Sequence, residues 1–401
     1  MRYRALTICT SMLSFATFVL VRPGVTADAG EVAALAADGK PLQPIVVGPQ
    51  ASDRVGEAAK TLADYLGRIG EAEFRVVEGK GNHGIAVGTA EDFPAIGTAS
   101  QFDPTDPSRR EEYLLRSHGE GLWVIGATDL AVEHAVWDLL YRLGYRQYFP
   151  GDVWEVVPRN RRPSIDVESF ERPDYLSRRI WYGFGTWDYN AEPYRAWCAR
   201  NRCVQGIVLN TGHAYDGGVK GARQEFDEHP EYWPLLNGER KPASNPKPCL
   251  GNPAVRALFV AHAQRQLDRK TPLDSVSVDP SDGGGWCECE LCAKLGTVSD
   301  QAVTLANEVA AAVEAKRPGT LVGMYAYNYH SPPPNIDVAP NVVVSAATAF
   351  IKGGQSLDEI LSGWSARKAT LGIREYYSVN TWDRDQPAHA RGGNLEYLRR
   401  T

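Results

Sequence analysis

The stretch that decides the fold is VSVDPSDGGGWCECELC, residues 276–292. It begins with Val-Ser-Val at 276–278, a pattern typical of a short buried strand. The run leads directly into acidic residues and the three glycines at 283–285, and then into closely spaced cysteines. A buried strand that ends in a polar, glycine-rich loop is typical of a parallel barrel, where functional side chains follow the carboxyl ends of the strands.

Strand-like runs alternate with helical ones on both sides of this stretch. The clearest helical run, 300–316, repeats apolar residues at helical spacing and is followed by Pro318 and Gly319. Alternation of this kind predicts a parallel β/α barrel. The predicted strands are residues 179–182, 206–210, 276–278, 322–327, 342–346 and 373–377, with a weaker one near 232–236.

The number of strands is too small for a complete barrel. Six or seven candidates are present, whereas a (β/α)8-type barrel needs eight, and residues 175–401 are fewer than the roughly 250 of a full barrel. The chain stops at 395–401 in a helix-like run without a cap. We therefore expect a barrel truncated before its eighth strand. Either the sequence is a fragment or another element covers the open sheet edge.

The first half of the chain predicts a separate α+β sandwich-like domain at residues 40–157. Helices are expected at 55–69 and 129–143 and a hairpin at 113–125, so that the helices cover one side of a small sheet. Three prolines and a cluster of arginines at 158–174 predict a linker. The incomplete barrel, the catalytic-type domain, would then occupy 175–401.

The amino terminus has the features of an export signal. Two arginines precede an apolar run, and Ala27-Asp28-Ala29 fits an A-x-A cleavage site, which predicts a signal peptide at residues 1–29. The alternative is a membrane anchor, although the run is short for a bilayer. The mature protein is expected to be secreted or periplasmic, without a membrane span. A net charge of -6 without a basic stripe predicts that nucleic acid is not a partner.

Carboxyl groups that follow the predicted strands are the candidate catalytic residues. Glycosidic hydrolysis needs one carboxyl group to protonate the leaving oxygen, and a second group to attack, activate water or steady an N-acetyl group. Asp279 and Asp282 follow 276–278, although an ordinary Asp-Gly turn with capping carboxylates gives the same pattern. Glu375 ends the last predicted strand, where partial burial would suit an acid. Its alternative is an outward-facing residue paired with Arg374 or with a helix.

Aromatic and polar side chains near the same strand ends are the candidate sugar-binding residues. Flat aromatic faces stack on sugar rings, and an indole N–H also donates a hydrogen bond. For a tryptophan the alternative is core packing, which we expect for Trp197 and Trp364, and for an isolated histidine it is a hydrogen bond within a loop. The predicted substrate-binding residues are His213, Trp187, Trp286, Tyr325, Asn328 and Trp382.

The sharpest spacing in the sequence is Cys287-x-Cys289-x2-Cys292. With Cys249 or a histidine as the fourth ligand, these thiolates would hold a structural Zn²⁺ ion, and four cysteines would leave no open position for catalysis. In an exported chain the alternatives are disulfides, with two pairs if Cys249 takes part, or buried free thiols. No catalytic cofactor is required.

These residues resemble a known family. The run 277–292 is similar to the signature of the bacterial domain-of-unknown-function family 4838, and so are His229-Pro230-Glu231-Tyr232-Trp233, Cys249-Leu250-Gly251-Asn252-Pro253 and Glu375-Tyr376-Tyr377. Upstream, residues 59–66, 126–128 and 148–152 look like the non-catalytic domain that precedes the barrel in α-glucuronidases of glycoside hydrolase family 67 and in β-hexosaminidases. The resemblance spans about residues 40 to 401. It implies a glycoside-hydrolase-like barrel. Relatives in glycoside hydrolase family 163 cut between N-acetylglucosamine units of complex N-glycans, which implies a substrate-assisted mechanism.

The combined prediction is an exported glycoside hydrolase that acts on glycosidic bonds of complex glycans or polysaccharides. Asp282 and Glu375 would be the acid and the stabiliser, with Asp279 in support, and an oligosaccharide or glycan would be the partner. The end before an eighth strand departs from the family pattern. The alternatives are therefore a non-catalytic carbohydrate-binding protein, an inactive fragment of a hydrolase, and a structural zinc protein.

Overall fold

The computed structural model describes residues 31–180, 188–271, 273–376 and 395–400, so the predicted signal peptide lies outside the described residues. The fold is mixed α/β, as predicted. A six-stranded sheet lies in the first part of the chain and a four-stranded sheet in the second. The elements of the first part are β1 (Ala33–Ala34), β2 (Ala36–Ala37), β3 (Lys40–Pro41), β4 (Ile45–Val47), α1 (Asp53–Gly70), β5 (Val76–Glu78), β6 (Gly84–Thr89), β7 (Tyr113–His118), β8 (Gly121–Gly126), α2 (Asp129–Arg142), β9 (Arg146–Gln147), β10 (Glu155–Val156), β11 (Ser164–Ile165) and β12 (Glu168–Glu171).

The six-stranded sheet has the strand order β12-β7-β8-β6-β4-β5. Strands β7 and β8 form the predicted hairpin, and Tyr113 lies opposite Gly126 in its antiparallel register. Strand β6 runs parallel to β4 and β8. Helices α1 and α2 bury their apolar stripes against one face, where Leu62 and Leu139 join strand residues such as Ile85 in one core. The helices therefore lie on one side of the sheet, as the sequence predicts.

Capping residues explain where the long helices begin. The Ser52 side chain accepts a hydrogen bond from the Val55 N–H at the start of α1. At the helix that begins with Val298, Thr297 and Asp300 cap each other's backbone in a reciprocal capping box. Such caps satisfy the backbone donors that the first helical turn leaves free. Both long apolar patterns therefore start close to the residues that the sequence indicates.

The segment predicted as a linker, 158–174, is partly strand. Strand β11 pairs with β1 at the start of the described chain, and β12 adds an antiparallel edge to β7. The Arg116 side chain bonds Glu168 across this pair. Prolines at both ends of the segment suggested a loop, but an edge strand tolerates nearby prolines because one side of it has no ladder to complete. Residues 164–165 and 168–171 of the predicted linker are therefore strands that pair with the first part of the chain.

The second part of the chain builds a parallel sheet with the strand order β15-β16-β17-β18. Val322 lies opposite both Val276 and Val342, so the apolar centres of three strands are in register. The elements are α3 (Asp188–Arg200), α4 (Tyr215–Lys220), α5 (Arg223–Glu228), β13 (Leu235–Leu236), β14 (Glu239–Arg240), α6 (Pro253–Gln266), β15 (Ser275–Ser277), α7 (Glu290–Leu295), α8 (Val298–Lys316), β16 (Leu321–Asn328), β17 (Val342–Ile351), α9 (Leu357–Ala366), β18 (Thr370–Arg374) and α10 (Leu395–Arg400).

Three predicted barrel strands are not part of the parallel sheet, and a fourth, predicted at 373–377, lies three residues earlier, at Thr370–Arg374. Residues 206–210 run beside β15 without a backbone ladder, because Ser275 holds them through its hydroxyl: Asn210 N–H donates to Ser275 Oγ at 2.7 Å, and that hydroxyl donates to Val208 O at 2.7 Å. Residues 235–236 pair with 239–240 in a small hairpin apart from the parallel sheet. Of the run 179–182, the described residues 179–180 are irregular.

Within the described ranges the parallel sheet has four strands and does not close into a barrel. The two parts of the chain are joined by buried polar contacts, since the buried Glu111 accepts hydrogen bonds from Arg178 and from the Gly206 N–H. In the part of the chain that the structure describes, no helix combines the length and the apolar character needed to cross a bilayer.

Candidate active site

Asp279 is the centre of a polar cluster at the carboxyl edge of the parallel sheet. It follows β15 and is completely buried. One carboxylate oxygen, Oδ1, accepts a hydrogen bond from the Tyr325 N–H at 2.7 Å, and Oδ2 lies 2.6 Å from His213 Nδ1. The backbone reinforces this contact, because His213 and Asp279 form an isolated parallel β-bridge. Asp279 thus fixes the position of two predicted substrate-binding residues rather than facing solvent.

His213 presents one ring nitrogen away from Asp279. Its Nδ1 lies 2.6 Å from both Asp279 Oδ2 and the Pro280 carbonyl oxygen. Both neighbours accept hydrogen bonds, so Nδ1 carries the proton and Nε2 remains for another partner. The hydrogen bond to Asp279 raises the pKa of His213 above its ordinary value, with burial opposing the shift. The neutral ring therefore accepts a hydrogen bond at Nε2, and the protonated ring, which the raised pKa favours, donates a hydrogen bond or a proton there.

We expect the pKa of His213 to lie above 6.5 and to fall when Asp279 is replaced by asparagine, because the partner charge is then lost. The His213–Asp279 pair should stabilise the fold fully below about pH 6.5, and this stabilisation should fade as the pH rises through the raised pKa. Titration of the histidine ring resonances by NMR measures both effects. His134 is an internal reference, since burial lowers its pKa to about 3. An unchanged His213 titration in the D279N variant would contradict this expectation.

Asp282 lies on the glycine-rich loop and is exposed. Its Oδ1 accepts hydrogen bonds from the Gly283 N–H at 2.7 Å and from the Tyr327 hydroxyl at 3.1 Å. Burial and the contact with Asp282 raise the pKa of Tyr327 to about 12. Gly283 and Gly285 have φ of 74° and 82°, a region that favours glycine, so the loop needs the residues that the sequence places there. The carboxylate is therefore oriented and open to a ligand.

A buried lysine that the sequence analysis missed lies behind this loop. Lys247 is buried, and its Nζ donates a hydrogen bond to the Asp282 carbonyl oxygen at 2.8 Å. Burial lowers the pKa of Lys247 to about 8, although the charges of Asp282 and Asp279 oppose the shift. Its flanking residues, Pro246 and Pro248, were the available signal, because a lysine held between two prolines lies in a stiff segment.

Arg374, rather than Glu375, contacts Tyr325, and Glu375 pairs with a helix, as in the alternative interpretation of the sequence. Arg374, at the end of β18, reaches towards the centre of the sheet, donates to the Tyr325 hydroxyl and bonds the Tyr376 hydroxyl at 2.9 Å. Glu375 is partly buried, and its oxygens accept hydrogen bonds from the Tyr376 N–H at 2.7 Å and from the hydroxyl of Tyr397 in α10 at 2.5 Å. From the sequence, Arg374 is expected only as a surface partner of Glu375.

The strand order limits how Asp282 and Glu375 cooperate. Both follow the carboxyl ends of strands in one parallel sheet, so they lie at the same edge. Two strands separate β15 from β18, however, and three spacings of about 4.8 Å put the strand axes roughly 14 Å apart. Paired glycosidase carboxyl groups lie about 5–9.5 Å apart. The connection across the edge runs instead through Tyr325, whose hydroxyl contacts both Arg374 and Thr211 Oγ1.

Several buried polar atoms at this edge have no hydrogen-bond partner among the described residues. His330 is almost completely buried, yet neither ring nitrogen forms a hydrogen bond, and Nε2 lies 3.7 Å from Asp279 Oδ1. Trp286 packs edge-on against it with ring centroids 5.8 Å apart. Buried polar atoms rarely stay unpaired, so such a concentration calls for a specific explanation. The atoms are Ser281 Oγ, Trp286 Nε1, Asn328 Oδ1, Tyr215 OH and both nitrogens of His330.

The structure describes most of the predicted sugar-binding residues. His213 and Tyr325 lie in the polar cluster, and Asn328 ends β16 with φ of 51°, the left-handed conformation that asparagine tolerates. Trp286 is only partly exposed and packs against the core, so its ring is not an open platform. The exposed Tyr329, next to Gly284, offers more open ring surface. Trp187 and Trp382 lie outside the described residues.

The four clustered cysteines lie beside the glycine-rich loop. Cys249, Cys287, Cys289 and Cys292 are all buried, and their sulfur atoms lie within 4.8 Å of one another. Cys249 precedes α6, whereas the other three lie at the start of α7 and in the segment before it. The folded chain thus brings together the four thiols that the sequence indicated as one group.

The solved structures that match the chain include glycoside hydrolases. A family GH115 4-O-methyl-α-glucuronidase with specificity for decorated arabinogalactans matches 86% of this chain at 13% identity and a TM-score of 0.45, and the chain spans 50% of that protein. The GH20 β-N-acetylhexosaminidase of Streptomyces coelicolor A3(2) matches 90% of the chain and 77% of its own length, at 13% identity and a TM-score of 0.41. A β-N-acetylhexosaminidase of Bacteroides fragilis NCTC 9343 matches 92% of this chain, and the match covers 77% of that enzyme, at 14% identity and a TM-score of 0.40.

The family of this chain is shown by a match between its sequence and a family model. No curated protein matches the chain. The family model described as Domain of unknown function (DUF4838) matches residues 149–381, more than half of the chain and all of the described parallel sheet. The family resemblance carried by the cysteine and glycine motifs is confirmed, and the chain belongs to the DUF4838 family.

Proposed function

We propose that the protein hydrolyses a glycosidic bond of a complex glycan or polysaccharide at the carboxyl edge of its parallel sheet. The observation that carries the proposal is the group of buried, unpartnered polar atoms around Asp279, next to the exposed and oriented carboxylate of Asp282. Unpaired buried polar atoms are typical of functional sites, and the hydroxyl groups of a glycan would hydrogen-bond the exposed carboxylate of Asp282. The nearby exposed aromatic ring of Tyr329 suits the apolar face of a sugar.

Asp282 is the proposed carboxylate that faces the reacting sugar. The Tyr327 hydroxyl and the Gly283 N–H both donate to it, as expected of a group that stabilises developing positive charge or steadies an N-acetyl substituent. Glu375 is proposed as the acid on the sequence prediction alone, and the strand spacing and the two hydrogen bonds that its oxygens accept argue against this role. His213, which Asp279 holds with Nε2 outward, is placed to bind a sugar hydroxyl. Asp279 acts through His213 and Tyr325 and is a positioning residue.

The test is release of reducing ends from N-glycans and uronic-acid oligosaccharides by the purified chain, followed by mass spectrometry. Replacing Asp282 by asparagine should lower kcat about 100-fold or more with little change in KM, because the interaction is made mainly in the transition state. Glu375→Gln should give a comparable loss if Glu375 is the acid, and unchanged turnover in this variant would exclude it from that role. Asp227→Asn, at an exposed ion pair with Arg223, is the control and should keep full activity.

Non-catalytic carbohydrate binding is the second candidate, because a specific observation favours it. Both oxygens of Glu375 already have partners in the protein, and its strand lies two strands away from β15. A binding protein would retain glycans without releasing products, and Asp282→Asn would then change affinity alone. A chain that neither binds nor cleaves any of the glycans would overturn both candidates.

Export through residues 1–29 is part of the proposal. Expression of the whole chain in a bacterial host, followed by amino-terminal sequencing of the secreted or periplasmic product, tests it. A mature chain that begins close to residue 30 is the expected result. A product that keeps Met1 and stays with the membrane fraction would support an anchor instead.

A further inference from the structure

The sulfur atoms of the cysteine cluster have an arrangement that suits one shared ion. Cys249 Sγ lies 3.4 Å from Cys289 Sγ and 3.8 Å from Cys292 Sγ. Four sulfurs at about 2.3 Å from a tetrahedral Zn²⁺ ion lie about 3.8 Å from one another. A disulfide joins two sulfurs at about 2.05 Å and excludes a third. One sulfur with two neighbours at similar distances therefore fits a common ligand better than it fits pairing.

The surroundings of the sulfurs are those of thiolates. The Gly251 N–H donates to Cys292 Sγ at 3.2 Å, and the Leu235 N–H donates to Cys287 Sγ at 3.3 Å. Backbone donors of this kind stabilise the negative charge of a metal-bound sulfur and fix its orientation. The Arg240 guanidinium lies 4.0 Å from Cys287 Sγ and brings a positive charge to a site whose four thiolates exceed the charge of one Zn²⁺ ion by two.

The backbone around the cluster is closely packed. A Cβ atom at Gly251 would lie 2.3 Å from the Leu291 carbonyl carbon, so only glycine lets this turn approach the backbone next to Cys292. Asn252 then caps α6 directly after the turn. Two segments that are about 40 residues apart in sequence are thus held together at a point where the buried side chains are mainly thiols.

We propose that Cys249, Cys287, Cys289 and Cys292 bind one Zn²⁺ ion in a closed, structural site. The ion would tie the turn before α6 to the start of α7, directly after the loop that carries Asp282. Its role would be to hold that loop in place, since four protein ligands leave no position for water or substrate. The proposal does not depend on glycoside hydrolysis.

Metal analysis of the full chain tests the site directly. After expression with zinc supplied, the purified protein should contain about one Zn²⁺ ion per chain, and Co²⁺ exchanged into it should show the absorption of tetrahedral thiolate coordination. Cys287→Ser and Cys292→Ser should each lose most of the metal. Cys203→Ser is the matched control, because Cys203 is a partly buried thiol after α3 that lies outside the cluster, and this variant should keep its zinc.

Thiol chemistry separates the alternatives. In the zinc-bound protein the four clustered thiols should resist alkylation until a chelator is added, and the chelator should also lower the melting temperature. A wild-type chain without zinc in which mass spectrometry finds two disulfides among the four cysteines would overturn the proposal. So would a zinc-free chain with four reduced thiols whose melting temperature does not respond to added zinc.

Discussion

Replacing Asp279 by alanine is expected to destabilise the protein by about 3 kcal/mol, because the change leaves two partners of a buried charge unsatisfied. The carboxylate is completely buried and bonds the Tyr325 N–H and His213 Nδ1. Loss of one partner of a fully buried pair costs about 3–5 kcal/mol. His213 is 39% exposed, so water replaces part of its lost interaction and the lower end of the range applies.

Urea unfolding of the purified variants measures this effect. Asp279→Asn should lower the free energy of unfolding by about 1–2 kcal/mol. The amide oxygen still accepts a hydrogen bond from one of the two donors, but the amide NH₂ group faces the second donor. The control Asp227→Ala removes an exposed ion pair with Arg223 and should change stability by less than about 0.5 kcal/mol. If Asp279→Ala unfolds at the same urea concentration as Asp227→Ala, the carboxylate does not hold the site together.

The elements that the sequence predicts well are those whose signals are local. Helix α1 begins at the Ser52 cap and ends at Gly70, close to the bounds that its apolar repeat indicates. The hairpin β7–β8 and strands β15 to β17 follow runs of apolar and β-branched residues that can be read within a few positions, whereas β18 lies three residues before the predicted run 373–377. Each of these patterns depends on neighbours a few residues away, so one sequence is enough to find them.

The wrong predictions concern segments whose hydrogen-bonding partners are distant in the sequence. Residues 206–210 have the composition of a strand, but Ser275 holds them through its hydroxyl instead of a backbone ladder. Strand β12 is part of the first sheet because it pairs with the edge of β7. The local sequence of neither segment indicates which distant residues it pairs with. The same holds for Lys247, whose importance comes from the Asp282 carbonyl oxygen 35 positions away.

The site itself was only partly predictable. A change of one position along a strand moves a side chain to the opposite face. Arg374 therefore points towards Tyr325, while its neighbour Glu375, the residue favoured from the sequence, turns towards Tyr397. Asp279 and Asp282 are only three residues apart, yet one is buried as a positioning group and the other is exposed. Which carboxyl group faces the ligand depends on the loop conformation, which the glycines permit without specifying.

The second large loss of stability is expected when the tryptophan that supports the loop after β16 is replaced. Trp364 in α9 is completely buried, as its helical position predicted, and its Nε1 donates a hydrogen bond to the Ser331 carbonyl oxygen at 2.8 Å. Ser331 follows His330 directly, and its own N–H donates to the Asn328 carbonyl oxygen at 3.1 Å. The ring therefore joins the core of the second part to the loop that carries two residues of the candidate site.

Trp364→Ala is expected to lower the free energy of unfolding by about 3–5 kcal/mol. The change opens a large cavity and leaves the buried Ser331 carbonyl oxygen without its donor. Trp364→Phe keeps most of the ring volume and loses the indole N–H, so a loss of about 1–3 kcal/mol is expected. Urea unfolding gives both values, and hydrogen exchange at residues 328–331 reports on the loop. Faster exchange in both variants would assign the support to the hydrogen bond, because phenylalanine removes that bond while largely filling the cavity. Faster exchange in the alanine variant alone would assign it to packing. If neither variant changes the exchange, the loop is held from elsewhere and the tryptophan serves only the core.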